Sequence, residues 1–187
     1  DWSRDAYPMT QLEEGIWEVR LPADVLKHGD LVKVHVAGAN GAHDRIPAYT
    51  RRLVQDEETY AFSGQVWAPE EEYKWRNDLP ALDAPLIYEA HVGMATEENC
   101  VGTYREFADD VLPRISRLGY NVVQLMAIAE HPYYGSFGYH VANFFAPASR
   151  CGTPEDLKYL IDTAHGLGIA VLMDVVHSHS VKNFSEG

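Results

Sequence analysis

The sequence IAVLMDVVHSH, residues 169–179, decides how the rest of the chain is interpreted. It begins as an unbroken apolar run that includes β-branched residues, which is typical of a parallel strand buried on both faces. Four polar side chains follow within a few positions, namely Asp174, His177, Ser178 and His179. In a β/α barrel, polar groups at the carboxyl end of a strand are where chemistry gathers. We therefore interpret this segment as a strand followed by the rim of an active site.

The residues before this segment alternate between strand and helix patterns. Thr103 and Glu106 form the pattern of a capping box, in which the threonine hydroxyl and the glutamate carboxylate satisfy free amides at a helix start. Pro113 should interrupt the hydrogen bonding of that helix, whereas Gly119 and Gly168 should end the two predicted helices. The predicted strands are residues 86–92, 121–127 and 169–173, and the predicted helices follow Thr103 and Thr153.

This β-α-β-α-β order predicts a parallel sheet, because its strands are joined by helical crossovers. Three strands cannot close a barrel of eight. The unit is therefore either a small open sheet or the first part of a (β/α)8 TIM barrel that continues past Gly187.

The first part of the chain has a different character. Residues 17–21 and 32–37 alternate apolar and polar side chains, and residues 60–67 are a further strand candidate. We predict a partial β-sandwich over residues 1–75. Residues 76–85 contain two prolines and no apolar period, so we interpret them as a linker before the α/β unit, residues 86–187.

Composition limits the classes of partner. The chain has 187 residues, a net charge of −13 and 46% hydrophobic residues, which predicts a packed core and argues against nucleic acid or an anionic membrane as partners. Such a surface suits a neutral substrate such as a sugar. No apolar run approaches the roughly 20 residues that span a bilayer. Cys100 and Cys151 are too few for a disulfide framework, which favours a reduced, cytoplasmic setting.

The two ends of the sequence bear on whether the chain is a whole protein. The sequence starts without Met, and its last residues contain neither a closing helix nor a closing strand. We therefore expect a piece of a longer protein.

Several of these segments together resemble a known family. Residues 174–179 resemble the first conserved region of the α-amylase superfamily of glycoside hydrolases and transferases, which normally reads Asp, three variable residues, Asn and His. Ser178 replaces the usual Asn, a variant that resembles the glycogen and starch branching enzymes. Four other segments resemble parts of the same enzymes. The first two barrel strands are matched by residues 87–93 and 120–128, the loop that follows by residues 130–139, and the start of the second helix by residues 150–155. Residues 1–75 resemble, more loosely, their glucan-binding β-sandwich.

The resemblance implies an activity. Branching enzymes cut an α-1,4 glucan and rejoin the segment through an α-1,6 bond, with retaining chemistry that uses a nucleophile and an acid/base about 5–5.5 Å apart. In the family these are an Asp and a Glu on the fourth and fifth barrel strands, which would follow Gly187. The resemblance therefore predicts no catalytic carboxylate in this chain, no activity for the chain alone and no cofactor, with glycogen or an amylose-like glucan as partner.

The resemblance also assigns substrate-binding roles. Asp174 and His179 would line the subsite where the bond breaks, and Tyr139 would stack under the same sugar. His131 and Tyr134 would shape the donor groove. The alternatives are a strand-end aspartate that caps a turn, a surface histidine and ordinary loop packing.

Two other patterns favour ordinary structural roles. His177 and His179 could be metal ligands, but in an extended stretch they point to opposite sides, and no third ligand is evident, so we expect no metal site. Each tryptophan could be a glucan platform, although sandwich core or interdomain contact is the more common role; the set is Trp2, Trp17, Trp67 and Trp75.

Two further functions remain open from sequence. One is a non-catalytic glucan-binding or scaffold protein built from the same parts. The other is a related α-amylase or debranching hydrolase.

Overall fold

The computed structural model describes residues 2–126 and 128–181. Three parts of the sequence predictions lie outside these residues: the first residue of the predicted sandwich, the last residue of the predicted second barrel strand, Ala127, and the end of the α/β unit, residues 182–187.

Short antiparallel strands make up the N-terminal part of the chain. They are β1 Thr10–Gln11, β2 Trp17–Glu18, β3 Leu31–Val32, β4 Val34–Gly38, β5 Gly41–Arg45, β6 Leu53–Gln55 and β7 Phe62–Gln65. One sheet has the order β3-β7-β6, while β1 pairs with β2 and β4 pairs with β5. These pairings agree with an all-β segment, whereas its assignment as a glucan-binding sandwich stays a prediction.

A parallel sheet follows, in the order that the start of a barrel requires. Its strands are β8 Ile87–Ala90, β9 Val122–Leu125 and β12 Ala170–Met173, and β9 lies between the other two. Strands that are consecutive along the chain are therefore neighbours in space, as they are in a (β/α)8 barrel.

Burial along β12 decreases toward its carboxyl end. Tyr88, Val123 and Val171 lie side by side and pack on the core that the helices cover. Ala170 is 3% exposed, whereas Leu172 and Met173 are 43% and 50% exposed. The predicted burial of this strand on both faces is therefore wrong for its carboxyl-terminal half, because little of the described chain covers these two side chains.

The crossover helices begin and end where the sequence predicts. They are α1 Tyr104–Glu106, which continues through one π-helical stretch Phe107–Val111 into α2 Leu112–Arg117, and α3 Pro154–Gly166. Capping boxes at Thr103 and Thr153 are present in full. Gly119 and Gly168, with φ of 89° and 74°, follow the two helix ends. No helix within the described ranges is long and apolar enough to cross a membrane.

Pro113 accounts for the irregular middle of the first crossover helix. A proline inside a helix has no amide proton to donate, and its ring clashes with the carbonyl four residues earlier. The π-helical stretch ends at Val111, directly before the turn that contains Pro113. Wider hydrogen bonding there lets the chain pass the proline without a break in the helix.

The long segment between β9 and α3 contains a hairpin that the sequence did not reveal. Its strands are β10 Ala129–Glu130 and β11 Asn143–Pro147, which pair antiparallel with a register shift. From the family resemblance, residues 130–139 were expected to form a loop, and no strand was predicted between β9 and α3. Ala146 of β11 joins Ile46, Leu53 and Phe62 in a small buried cluster, so this hairpin packs against the N-terminal strands.

The predicted linker begins with residues that are firmly attached to α3. Asp162 is fully buried and accepts hydrogen bonds from the Tyr73 hydroxyl at 2.9 Å, the Arg76 Nε at 3.0 Å and the Asn77 amide at 2.9 Å. Burial alone would raise the pKa of Asp162, but hydrogen bonds from these partners outweigh it and hold the pKa well below its usual range. The domain boundary at residues 76–85 stays a prediction.

Candidate functional site at the carboxyl end of the parallel sheet

Two of the predicted sugar-binding residues are in contact. Asp174 directly follows β12, where its amide donates to the Leu125 carbonyl at 3.0 Å. Tyr139 follows a tight turn in which Phe137 and Gly138 have φ of 55° and 85°. The Tyr139 hydroxyl donates a hydrogen bond to Asp174 Oδ2 at 3.0 Å. Both side chains are half-buried, so each keeps a surface that a ligand can reach.

The Tyr139 hydroxyl stays protonated and can therefore donate a hydrogen bond. Burial raises the pKa of Tyr139, and the hydrogen bond to Asp174 raises it further. An aromatic face beside a carboxylate suits a sugar, because the ring contacts apolar C–H groups and the carboxylate accepts from hydroxyls.

The third residue of the predicted subsite, His179, follows Asp174 by five positions. His179 is exposed and lies in a turn. Within the described ranges no hydrogen bond or ring contact joins it to Tyr139 or Asp174. Its neighbour His177 instead stacks on Phe144, with ring centroids 5.3 Å apart and planes inclined at 23°. The role of His179 in the sugar subsite stays a prediction.

The other two predicted residues pack on each other deeper in the protein. The rings of His131 and Tyr134 are stacked at 6.5 Å, and His91, at the end of β8, lies edge-on to Tyr134 at 5.9 Å. His131 is 2% exposed, so its ring is closed to solvent, whereas Tyr134 is half-buried. Their roles in a donor groove stay predictions.

Three imidazole nitrogens of this cluster are buried. His91 Nδ1, His91 Nε2 and His131 Nε2 are buried without a hydrogen-bond partner of normal geometry among the described residues. Burial lowers the pKa of both histidines. A hollow of about 10 Å³ lies beside them, with Tyr104 and Arg150 in its wall. That volume suits a single water molecule and excludes a sugar.

A buried acid and an arginine hold the loop that carries these rings. Glu130 is fully buried and accepts from the amides of Ser149 at 2.8 Å and His131 at 3.1 Å. Burial raises the pKa of Glu130 although both contacts oppose the rise. The Arg150 guanidinium donates to the carbonyls of His131 at 2.6 Å and Pro132 at 2.7 Å.

Sequence reasoning did not assign roles to Arg150, Glu130 or His91. The sequence did contain one signal for such roles, namely a charged or polar residue inside an otherwise apolar segment. If that residue is buried, its side chain must form specific hydrogen bonds. Across residues 2–126 and 128–181, no three His, Cys, Asp or Glu side chains are grouped so that they could hold a metal ion.

Comparisons with known proteins agree with this arrangement. The family model "Alpha amylase, catalytic domain" matches residues 94–186. A candidate alpha amylase of known structure from Salmonella typhimurium superimposes on 92% of this chain and 29% of its own, with a TM-score of 0.70 and 27% identity. The fold and the sequence place the chain in the α-amylase family.

Within that family the chain is a homologue of the 1,4-alpha-glucan-branching enzymes. Over its whole length it is 51% identical to the branching enzyme 2-2, chloroplastic/amyloplastic, of Arabidopsis thaliana, 49% identical to that of Rhizophagus irregularis and 50% identical to that of Yarrowia lipolytica. It spans 24% to 28% of the length of these relatives.

Proposed function

We propose that this chain is part of a 1,4-alpha-glucan branching enzyme and supplies one wall of its donor site. The whole protein would cleave an α-1,4 glucan and transfer the segment to a 6-hydroxyl, which forms an α-1,6 branch. The observation that carries the proposal is the Tyr139–Asp174 hydrogen bond at the carboxyl end of the parallel sheet, in a chain about 50% identical to branching enzymes.

In this proposal the chain binds and orients the sugar without breaking the bond. The ring of Tyr139 lies under one glucose unit, and Asp174 accepts hydrogen bonds from its hydroxyls. The retaining reaction needs a nucleophile and an acid/base about 5–5.5 Å apart. We expect these carboxyl groups on the next two barrel strands, after Gly187, so the 187-residue chain should be inert alone.

The partner that we propose is a neutral α-1,4-glucan such as glycogen. The net charge of −13 supports this choice over nucleic acid or an anionic membrane surface. A cytoplasmic location stays a prediction, because one of the plant relatives is named as chloroplastic/amyloplastic.

The test is an assay of the full-length protein with linear amylose. We expect the iodine absorbance to fall while α-1,6 linkages, counted after debranching digestion, increase. A rise in reducing ends without new α-1,6 linkages would identify a hydrolase instead. An unchanged amylose, with glycogen still bound, would favour a non-catalytic glucan-binding protein.

A further inference from the structure

The segment after β12 carries the aspartate of the candidate site. Residues 174–181 form neither a helix nor a strand. A segment without helical or ladder hydrogen bonds takes its position from contacts with neighbouring elements. The contacts between residues 174–181 and the β10–β11 hairpin therefore bear on where Asp174 lies.

Hydrogen bonds attach the two ends of this segment to the hairpin. At its start the Tyr139 hydroxyl donates to Asp174 Oδ2 at 3.0 Å. At its end the Val181 amide donates to the Val141 carbonyl at 3.0 Å. Tyr139 and Val141 both belong to the connection between β10 and β11, so both ends of the segment lie against the hairpin.

An aromatic stack attaches the middle of the same segment. The rings of Phe144, in β11, and His177 have centroids 5.3 Å apart and planes inclined at 23°. Stacked rings attract each other beyond the effect of the area that they bury. His177 follows Asp174 by three residues, so the stack restrains the backbone that leads away from the candidate sugar contact.

The hairpin presents Phe144 from a fixed backbone. Its neighbour Asn143 is buried, donates from Nδ2 to the Ala48 carbonyl at 3.1 Å and accepts at Oδ1 from the Phe145 amide at 2.8 Å. Val141 is buried as well. The hairpin is therefore a rigid support for the segment that follows β12.

We propose that Phe144 and His177 are positioning residues for the candidate sugar site at Tyr139 and Asp174. Their stack would hold residues 174–181 against the hairpin, so that the Asp174 carboxylate already faces the Tyr139 hydroxyl when a glucan arrives. Preorganisation of this kind raises affinity, because less conformational freedom is lost on binding. The proposal rests on the glucan site of the proposed function, but it does not require branching activity.

The first measurement is hydrogen exchange of peptides that cover residues 174–181 in the full-length protein. The variants are Phe144→Ala and His177→Ala; Phe144 is 37% exposed and His177 is exposed, so neither change opens a cavity in the core. Phe145→Ala is the matched control, because it removes an exposed ring of the same strand that contacts Tyr49 instead. We expect exchange to be about fivefold faster in both test variants and unchanged in the control.

The second measurement is calorimetric titration of the full-length protein with maltoheptaose, which separates positioning from a merely structural contact. Phe144→Ala is made in the unsubstituted protein and in the Tyr139→Ala variant. We expect it to weaken binding about fivefold in the first and less than about twofold in the second, because the stack acts through the site. His177→Phe keeps a stacked ring and should bind as the unsubstituted protein does, whereas His177→Ala should bind as weakly as Phe144→Ala.

Unchanged exchange in both alanine variants would overturn the proposal. Equal losses of affinity with and without the Tyr139 ring would overturn it too, because the stack would then act independently of the site. Melting temperatures establish which variants fold, and His177→Ala tests the same stack if Phe144→Ala does not fold.

Branching assays of the same proteins separate this proposal from the proposed function. The expected pattern of affinities without any new α-1,6 linkages on amylose overturns the branching activity and leaves the positioning role standing. Normal branching with undiminished maltoheptaose affinity in Phe144→Ala overturns only the positioning role.

Discussion

The Tyr139 hydroxyl and the Asp174 carboxylate are joined by a 3.0 Å hydrogen bond across 35 residues of sequence. The carboxyl end of β12 supplies the aspartate, and a left-handed turn at Phe137 and Gly138 supplies the tyrosine. Neither side chain is placed by its immediate neighbours alone. The parallel sheet and the preceding loop together create a polar and aromatic surface of the kind that a sugar requires.

Removal of the Tyr139 hydroxyl should weaken the branching activity that we propose for the full-length protein. Tyr139→Phe keeps the ring but deletes the hydrogen bond to Asp174, which is a charge-assisted contact of about 1.5–3 kcal/mol. We expect kcat/KM on amylose to fall by roughly tenfold or more. Tyr139→Ala should lose more, because the stacking surface is lost as well.

The control for this prediction is Tyr133→Phe, which alters a tyrosine that is 64% exposed on the same loop. It should leave kcat/KM within about twofold of the unsubstituted value. Equal effects of the two substitutions would mean that the hydroxyl of Tyr139 has no special role.

Loss of the Asp162 carboxylate should strongly destabilise the chain. Asp162→Ala leaves the Tyr73 hydroxyl and the amides of Arg76 and Asn77 without their acceptor in a buried position. We expect the free energy of unfolding in urea to fall by about 2–4 kcal/mol, because donors that faced the buried carboxylate lose their acceptor. The exposed Arg76 side chain can be hydrated by water instead, which limits the loss.

Asp109→Ala is the matched control for Asp162→Ala. This exposed aspartate accepts a hydrogen bond from the Tyr159 hydroxyl at 2.7 Å. Its loss should change the free energy of unfolding by less than about 1 kcal/mol. Similar losses for the two variants would show that the contacts of Asp162 contribute no more than a surface hydrogen bond.

Much of the α/β part could be predicted, because its signals are local. Thr103 and Thr153 open helices through hydrogen bonds within one turn, and Gly119 and Gly168 follow the helix ends with positive φ. The contact of Tyr139 with Asp174 was accessible only through the family resemblance, since no spacing rule joins a loop tyrosine to a distant strand end.

The features that sequence analysis missed depend on tertiary contacts. Strand β10 has two residues, which is too short for any periodic signal. The burial of His131 beside His91 depends on how the loop folds over β8. His179 was assigned to the subsite from the motif alone, and its role stays a prediction, since the structure shows only that it lies in an exposed turn.

Acid should destabilise the chain through His91 and His131. Burial lowers both pKa values, so below about pH 6.5 the unfolded state takes up protons before the folded state does. The stability that the neutral His91 and His131 side chains contribute is complete above about pH 6.5. It is lost as the pH falls through their lowered pKa values in the folded state. Thermal unfolding at about pH 7.5 and about pH 5.5 should show the loss.

The double variant His91→Gln, His131→Gln should have a smaller change in melting temperature between the two pH values. Glu130 has a raised pKa and acts in the opposite direction, but it is present in both proteins and cancels in the difference. His140→Gln, at an exposed position, should retain the full change. An identical change in the double variant would exclude the buried histidines as its source.

A methyl group at Gly93 should displace Tyr134. A Cβ atom there would lie 2.8 Å from the Tyr134 hydroxyl oxygen and 3.0 Å from Val101 Cγ1. We expect Gly93→Ala to lower the free energy of unfolding by about 1–3 kcal/mol, and a second change, Tyr134→Phe, to restore part of it. Gly38→Ala has open space around its Cβ and serves as the control in the same urea titration. Equal losses at Gly93 and Gly38 would contradict close packing of Tyr134 on the short 3-10 turn Val92–Met94 that follows β8.

The most direct test of the proposed sugar-binding surface is a crystal structure of the full-length protein with a linear maltooligosaccharide. We expect one glucose ring within about 4 Å of the Tyr139 ring, with a hydroxyl within about 3 Å of an Asp174 carboxylate oxygen. An oligosaccharide bound elsewhere at the carboxyl end of the barrel, with Tyr139 and Asp174 in contact only with protein, would contradict it.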